Sequence, residues 1–184
     1  MNRIGTNFKM IRFSFFAVIF LVSVTCSYTI KVVDVDAICK QTNNVSFCTN
    51  LLNSKPGGVG QDLDSLAQYT LDVARSNTTN TIILIQRLIA QTGRDVEAQI
   101  PYKKCLSFFE KIIHSIDYFR DMLKIREYEE MFRAADRITY YIYDCLNGSG
   151  PDEPPYHGSP MVPKNANVLN QVVVIISVII HKLE

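Results

Sequence analysis

Histidine is scarce, neither sign of charge is in excess, and none of the short motifs that carry catalysis is present. The three histidines stand at 114, 157 and 181, with no His-x3-His or other metal-binding spacing. His114 falls on the outer side of a helical stripe and His157 in a Pro-rich connector. His181 falls in the last turn of a helix, where a cation suits the dipole. There is no Gly-x-Ser-x-Gly elbow, and Gly57-Gly58-x-Gly60 lacks the strand and lysine of a nucleotide loop. Acidic pairs such as Glu129-Glu130 read as a solvated helix face. These absences argue against an enzyme, and they imply no metal and no cofactor.

The full chain of 184 residues has a formal net charge of +1. Arg3, Lys9 and Arg12 lead into the apolar run Phe13–Val22, and small residues follow at Ser23, Thr25 and Ser27. That order predicts a secretory signal peptide over 1–27, because the run falls short of the roughly 20 residues a spanning helix needs. Its removal takes those three basic residues and no acidic one. The remaining 157 residues carry 16 basic and 18 acidic side chains, a net of −2 with neutral histidine. No basic patch of the kind that binds nucleic acid is left. A chain of this length suits one domain with one continuous core.

Five cysteines become four when Cys26 leaves with the leader. An even count in a secreted chain favours disulfides over metal ligands, and no thiol nucleophile is then free. Four cysteines allow three pairings, which sequence alone does not separate. Proximity favours Cys39 with Cys48, and Cys105 with Cys145.

The second of these pairs frames the most regular part of the chain. Apolar residues recur at Cys105, Phe109, Ile112, Ile116, Phe119 and Leu123, the spacing of one helical face. A second stripe follows at Tyr128, Met131, Ala135, Ile138, Ile142 and Cys145. The short charged break Lys124–Glu127 predicts that the two helices fold back antiparallel, with both sulfurs at one end.

Ahead of this pair, residues 32–55 read as a short helical hairpin. Val32, Val35, Ile38 and Cys39 form one stripe, Cys48, Leu51 and Leu52 another, with a polar turn at Thr42–Asn44. Asp62 to Gln91 reads as a long helix burying Leu63, Leu66, Tyr69, Val73, Ile82, Ile85 and Ile89. Its middle, Ser76–Thr81, has weak helix propensity and predicts a solvated face or a bend. Pro101 places the start of the next helix nearer Ile100 than Val96, since proline is tolerated only near a first turn. After Cys145, a Pro/Gly-rich connector runs to Pro160. The apolar run Val168–Ile180 is open to three readings: a buried bundle helix, a membrane anchor, or a lipid-attachment signal with Gly158 or Ser159 as the joining site. The buried helix is preferred, because polar residues interrupt the run and a charged tail ends it.

Taken together, Ile38-Cys39-x2-Thr42-x5-Cys48, Cys105-x39-Cys145 and the run Asn165–Gln171 leading into the last helix resemble the plant invertase and pectin methylesterase inhibitor family, over about 30–183. The resemblance implies an all-α fold, an up-and-down four-helix bundle preceded by an N-terminal helical hairpin. It pairs first with second and third with fourth cysteine, dividing the chain into leader 1–27, hairpin 28–60 and bundle 61–184. It also implies a secreted, apoplastic cell-wall protein without activity of its own, monomeric, that covers a target enzyme's active-site cleft in a 1:1 complex.

The family's invertase inhibitors carry a Pro-Lys-Phe triplet in the turn before the third bundle helix. Here that turn is Ile125-Arg126-Glu127-Tyr128, more similar to the acidic–aromatic pair of pectin methylesterase inhibitors. The expected partner is therefore pectin methylesterase, with invertase or a non-inhibitory interaction role as alternatives. The Tyr-rich Arg137–Tyr143 and the Asp144 before the fourth cysteine depart from the family pattern. On the second and third bundle helices, the outward candidates for target binding are Lys104, Ser107, Glu110, Lys111, His114, Tyr118, Glu129, Arg133, Arg137, Tyr140 and Tyr141. Sequons at Asn44, Asn77 and Asn147 are candidate glycan acceptors.

Overall fold

The computed structural model describes residues 33–60 and 62–184, so the expected leader 1–27 lies outside the described residues. Two short helices open the chain, α1 (Val35–Cys39) and α2 (Val45–Asn53), followed by α3 (Leu63–Gln91), α4 (Val96–Ile125), α5 (Tyr128–Asn147) and α6 (Met161–Leu183). No strand occurs among the described residues. The four long helices pack in sequence, α3 on α4, α4 on α5, α5 on α6, and α6 closes the ring against α3. That is the up-and-down bundle; the α1–α2 hairpin leans on α6 at its side.

Local chemistry sets the helix starts. Asp34, Asn44, Asp62 and Asp95 each stand at an N-cap, their side-chain oxygens accepting from amides of the first turn. Asp95 also explains why α4 begins at Val96 rather than near Ile100. Its carboxylate accepts from Ala98 N at 3.0 Å, and Gln99 Nε2 donates to Gly93 O at 2.9 Å. These bonds hold a first turn ahead of Pro101, which costs the helix only one backbone donor.

The two stripes predicted for α4 and α5 are buried along their whole length except Tyr128, which is half-buried. Between them, Arg126 adopts the left-handed conformation (φ 59°, ψ 36°). Its amide donates to Leu123 O and that of Glu127 to Met122 O, which ends α4 and turns the chain into α5. The far end is closed by Cys105–Cys145, with Cα atoms 4.6 Å apart, and Cys39–Cys48 ties α1 to α2 at 5.4 Å.

The middle of α3 corrects the sequence reading. Ser76–Thr81 neither bends nor faces solvent as a block; Thr78 and Thr81 are fully buried, as is Thr70. Their hydroxyls donate to Ala74 O, Asn77 O and Leu66 O, four residues back. A hydroxyl satisfied by its own helix packs almost as an apolar group.

The last helix starts earlier than the apolar run, at Met161. Pro160 precedes it and Pro163 lies in its first turn, where a missing amide leaves no intrahelical bond unmade. By length and composition α6 is a helix that can cross a bilayer. In the bundle it buries Val162, Ala166, Leu169, Val172, Val173, Ile175, Ile176, Ile179 and Ile180, which accounts for its hydrophobicity as core.

The connector 148–160 is irregular but tied down. Glu153 pairs with Lys104 and accepts from the amide of Ser149. Tyr156 N donates to Leu146 O at 2.8 Å, Ser159 N to Tyr102 Oη at 3.2 Å, and the two tyrosine rings meet edge-on at 6.1 Å. Gly148, with φ 92°, starts this strap; a Cβ there would meet Glu153 O at 2.8 Å, so only glycine fits.

Candidate functional site

The candidates gather on one seam. Lys111, His114, Ser115 and Tyr118 of α4 and Arg137 and Tyr141 of α5 line a shallow depression of about 300 Å³. Five of these six are residues that the sequence reading singled out. Lys111 and Tyr118 each lie three or four residues from His114 and Ser115, so the four share a face, and the antiparallel turn brings the α5 face alongside.

Cations in this depression lie over aromatic rings. Lys111 Nζ is 4.9 Å from the Phe108 ring centroid and 5.6 Å from that of Tyr141. The two rings themselves stack at 6.1 Å. Arg137 lies 4.9 Å over Tyr118. Tyr118 Oη donates to Glu130 Oε2 at 2.8 Å; that bond, then burial, raises its pKa, with Arg137 acting the other way. Tyr140 is exposed next to Tyr141, 5.8 Å between centroids, and a bond to Asp144 raises the pKa of its phenol.

The neighbouring seam, α3–α4, is built differently. Arg75 bonds Asp117 at 3.0 Å, Arg120 bonds Asp72, and Arg126 bonds Asp64 at 3.0 Å. Its cations are already paired across the helices. Among the described residues, Lys111 and Arg137 have no carboxylate partner. A cation held over a ring keeps its capacity to bind an incoming anion.

The other candidates are dispersed. Ser107, Glu110, Glu129 and Arg133 are exposed on the two helices, and Arg133 is paired with Glu130 at 2.9 Å. Lys104 does not join the depression; it is only 23% exposed and is held by Glu153 of the strap. Phe108 and Glu130 are contributors that the sequence reading missed. Phe108 precedes the buried Phe109 and lies at the edge of the stripe, and the pair Glu129-Glu130 has the pattern of a solvated face. Among the described residues, no group of three His, Cys, Asp or Glu is placed to hold a metal. The arrangement has cations, aromatic faces and one buried-edge carboxylate, but no nucleophile–base pair. It is suited to binding.

The sequon residues differ in setting. Asn44 caps α2, accepting from Phe47 N, and its Nδ2 donates to Gln171 Oε1 at 2.9 Å. Asn77 lies mid-α3, half-buried, its Oδ1 enclosed and without a partner. Asn147 ends α5 in an exposed position and donates to Tyr143 O at 3.2 Å.

Residues 33–179 match the family model described as plant invertase/pectin methylesterase inhibitor. Curated relatives include a pectinesterase inhibitor of Actinidia deliciosa, 26% identical over 129 residues, 70% of this chain and 65% of the relative. Pectinesterase inhibitor 1 of Arabidopsis thaliana is 31% identical over 101 residues, 55% of this chain and 56% of the relative. The matched parts thus span between half and two thirds of these relatives. Two solved structures share the fold: mutant form A of a pectin methylesterase inhibitor from Arabidopsis, TM-score 0.66, 24% identity, 78% of this chain and 93% of that one; and a pectin methylesterase inhibitor from Arabidopsis thaliana, TM-score 0.59, 23% identity, 82% and 95%. These relatives and fold neighbours are inhibitor proteins, not enzymes.

Proposed function

Because the chain belongs to the plant invertase/pectin methylesterase inhibitor family, we propose that it is a secreted inhibitor that sets its α4–α5 face over the active-site cleft of pectin methylesterase. The observation that carries this reading is the α4–α5 depression, where Lys111 and Arg137 stand over aromatic rings without acidic partners. Such a surface complements a cleft lined by carboxylates. Tyr and Arg are the residue types that dominate interface energetics. The helices that carry them are joined by a disulfide at one end and a tight turn at the other, so little ordering cost is added on docking.

The names of the curated relatives support pectin methylesterase over invertase as the target. Secretion fits the two disulfides, which persist in oxidising compartments. The complex is a 1:1 assembly of monomers in an apoplastic setting. Titrating the purified protein into pectin methylesterase and, separately, into invertase tests the reading. Saturable loss of pectin methylesterase activity at one equivalent is expected. Loss of invertase activity alone would transfer the target, and no effect on either would remove the inhibitory function.

A further inference from the structure

The sequons and Tyr143 are features that inhibition leaves without a role, and one sequon meets that ring on the outer face of α5. Tyr140, Tyr143 and Asn147 follow one another along α5 at intervals of three and four residues, so they lie in a single stripe. The two rings are 57% and 60% exposed, a large apolar display for a face that no other helix covers. Tyr141, one position on from Tyr140, turns instead toward Phe108 and the depression. Tyr140 thus borders the proposed docking seam through Tyr141, whereas Tyr143 and Asn147 do not line the depression.

We propose that, of the three sequons, Asn147 alone carries an N-linked glycan, and that its first sugars lie back along Tyr143 toward Tyr140. The inference rests on secretion, not on inhibition. Transfer of a glycan acts on the nascent chain, so the folded structure decides which modified chains complete folding. At Asn77, a sugar on the amide would draw out a half-buried side chain whose Oδ1 is enclosed in the packing. At Asn44, inside the loop closed by Cys39–Cys48, the Nδ2 that would carry the sugar faces Gln171 Oε1 at 2.9 Å. The sugar would have to enter the groove between hairpin and α6. Asn147 has neither conflict. Its amide donates back to Tyr143 O, and one N–H survives glycosylation to keep that bond. That bond points the amide back along the helix, where pyranose C–H groups can cover an aromatic face that is otherwise wet.

The test uses the full chain secreted from plant cells, with mass analysis before and after peptide N-glycosidase. The expected result is one glycan per chain, with Asn converted to Asp at 147 only. An unmodified protein in the medium overturns this inference alone, as does conversion at 44 or 77. Retention in the cytosol overturns it together with secretion. For the contact with the rings, glycosidase treatment should lower the Tm of the parent by about 2–4 °C more than that of Tyr143→Ala, in which only the new carboxylate at 147 acts. Equal shifts in both proteins would overturn the stacking.

Discussion

Lys111 and Arg137 occupy the same structural situation from opposite sides of a helix seam: each cation rests on a ring and faces no carboxylate. If that seam meets the target, Lys111→Ala and Arg137→Ala each weaken inhibition about tenfold. Melting temperature stays within a degree or so, because neither side chain supports the core. An inhibition titration paired with a thermal melt checks both halves of that expectation. Glu153 works at the opposite end of α4. Its bond to Lys104 and the amide of Ser149 hold its carboxyl below the ordinary value of 4.5. A carboxyl lowered by folding adds stability that is whole above its unfolded pKa and is lost as pH falls through the folded one. The strap should therefore loosen as the solution is acidified below about pH 4.5. Tyr156 ring resonances in NMR should move over that range in the parent and be pH-independent in Glu153→Gln.

At the scale of elements, the two disulfides do different amounts of work. Cys105–Cys145 closes a loop of sequence separation 40, Cys39–Cys48 one of 9. In the chain-entropy account, replacing the first pair with alanines costs about 4 kcal/mol and the second about 3 kcal/mol. Denaturant unfolding of the two double variants measures the difference. The α4 and α5 stripes were legible in the sequence because each is an unbroken apolar face and the charged segment between them is short. The α3 face was only half legible. Leu66 and Ile85 stand out as apolar, whereas Thr70, Thr78 and Thr81 reach the core by bonding their own helix, which residue type does not reveal. Pro101 misplaced the start of α4 because the capping by Asp95 outweighs one absent backbone bond.

For the whole molecule, family and fold class were legible because cysteine spacing and periodicity act over short stretches, whereas the disulfide pairing was one of three left open, favoured by proximity and by the family resemblance. The strap was not legible. Lys104 looked like an outward docking residue, and only its ion pair with Glu153, 49 positions on, removes it. Likewise, the site's cation–ring contacts join α4 to α5 across the turn, so no local pattern encodes Phe108 under Lys111. The chain has nine tyrosines and no tryptophan, which makes phenol ionisation a clean global readout. Tyr118 and Tyr140 are raised by bonds to Glu130 and Asp144, and Tyr156 by burial. Ultraviolet titration should show these three phenols as a separate group that ionises at higher pH. Urea should merge that group with the rest.

Lys124 and Arg126, in the turn between α4 and α5, are 64% and 65% exposed. They are open to a trypsin-like protease, but they lie inside the covalent ring that Cys105–Cys145 closes. A cut there yields two polypeptides that stay joined through sulfur and keep their apolar stripes pressed together. Mild trypsin treatment should give one band on a non-reducing gel, two on a reducing gel, and nearly full inhibition. In an extracellular medium that contains proteases, these exposed bonds are thus ones the molecule can lose without being inactivated.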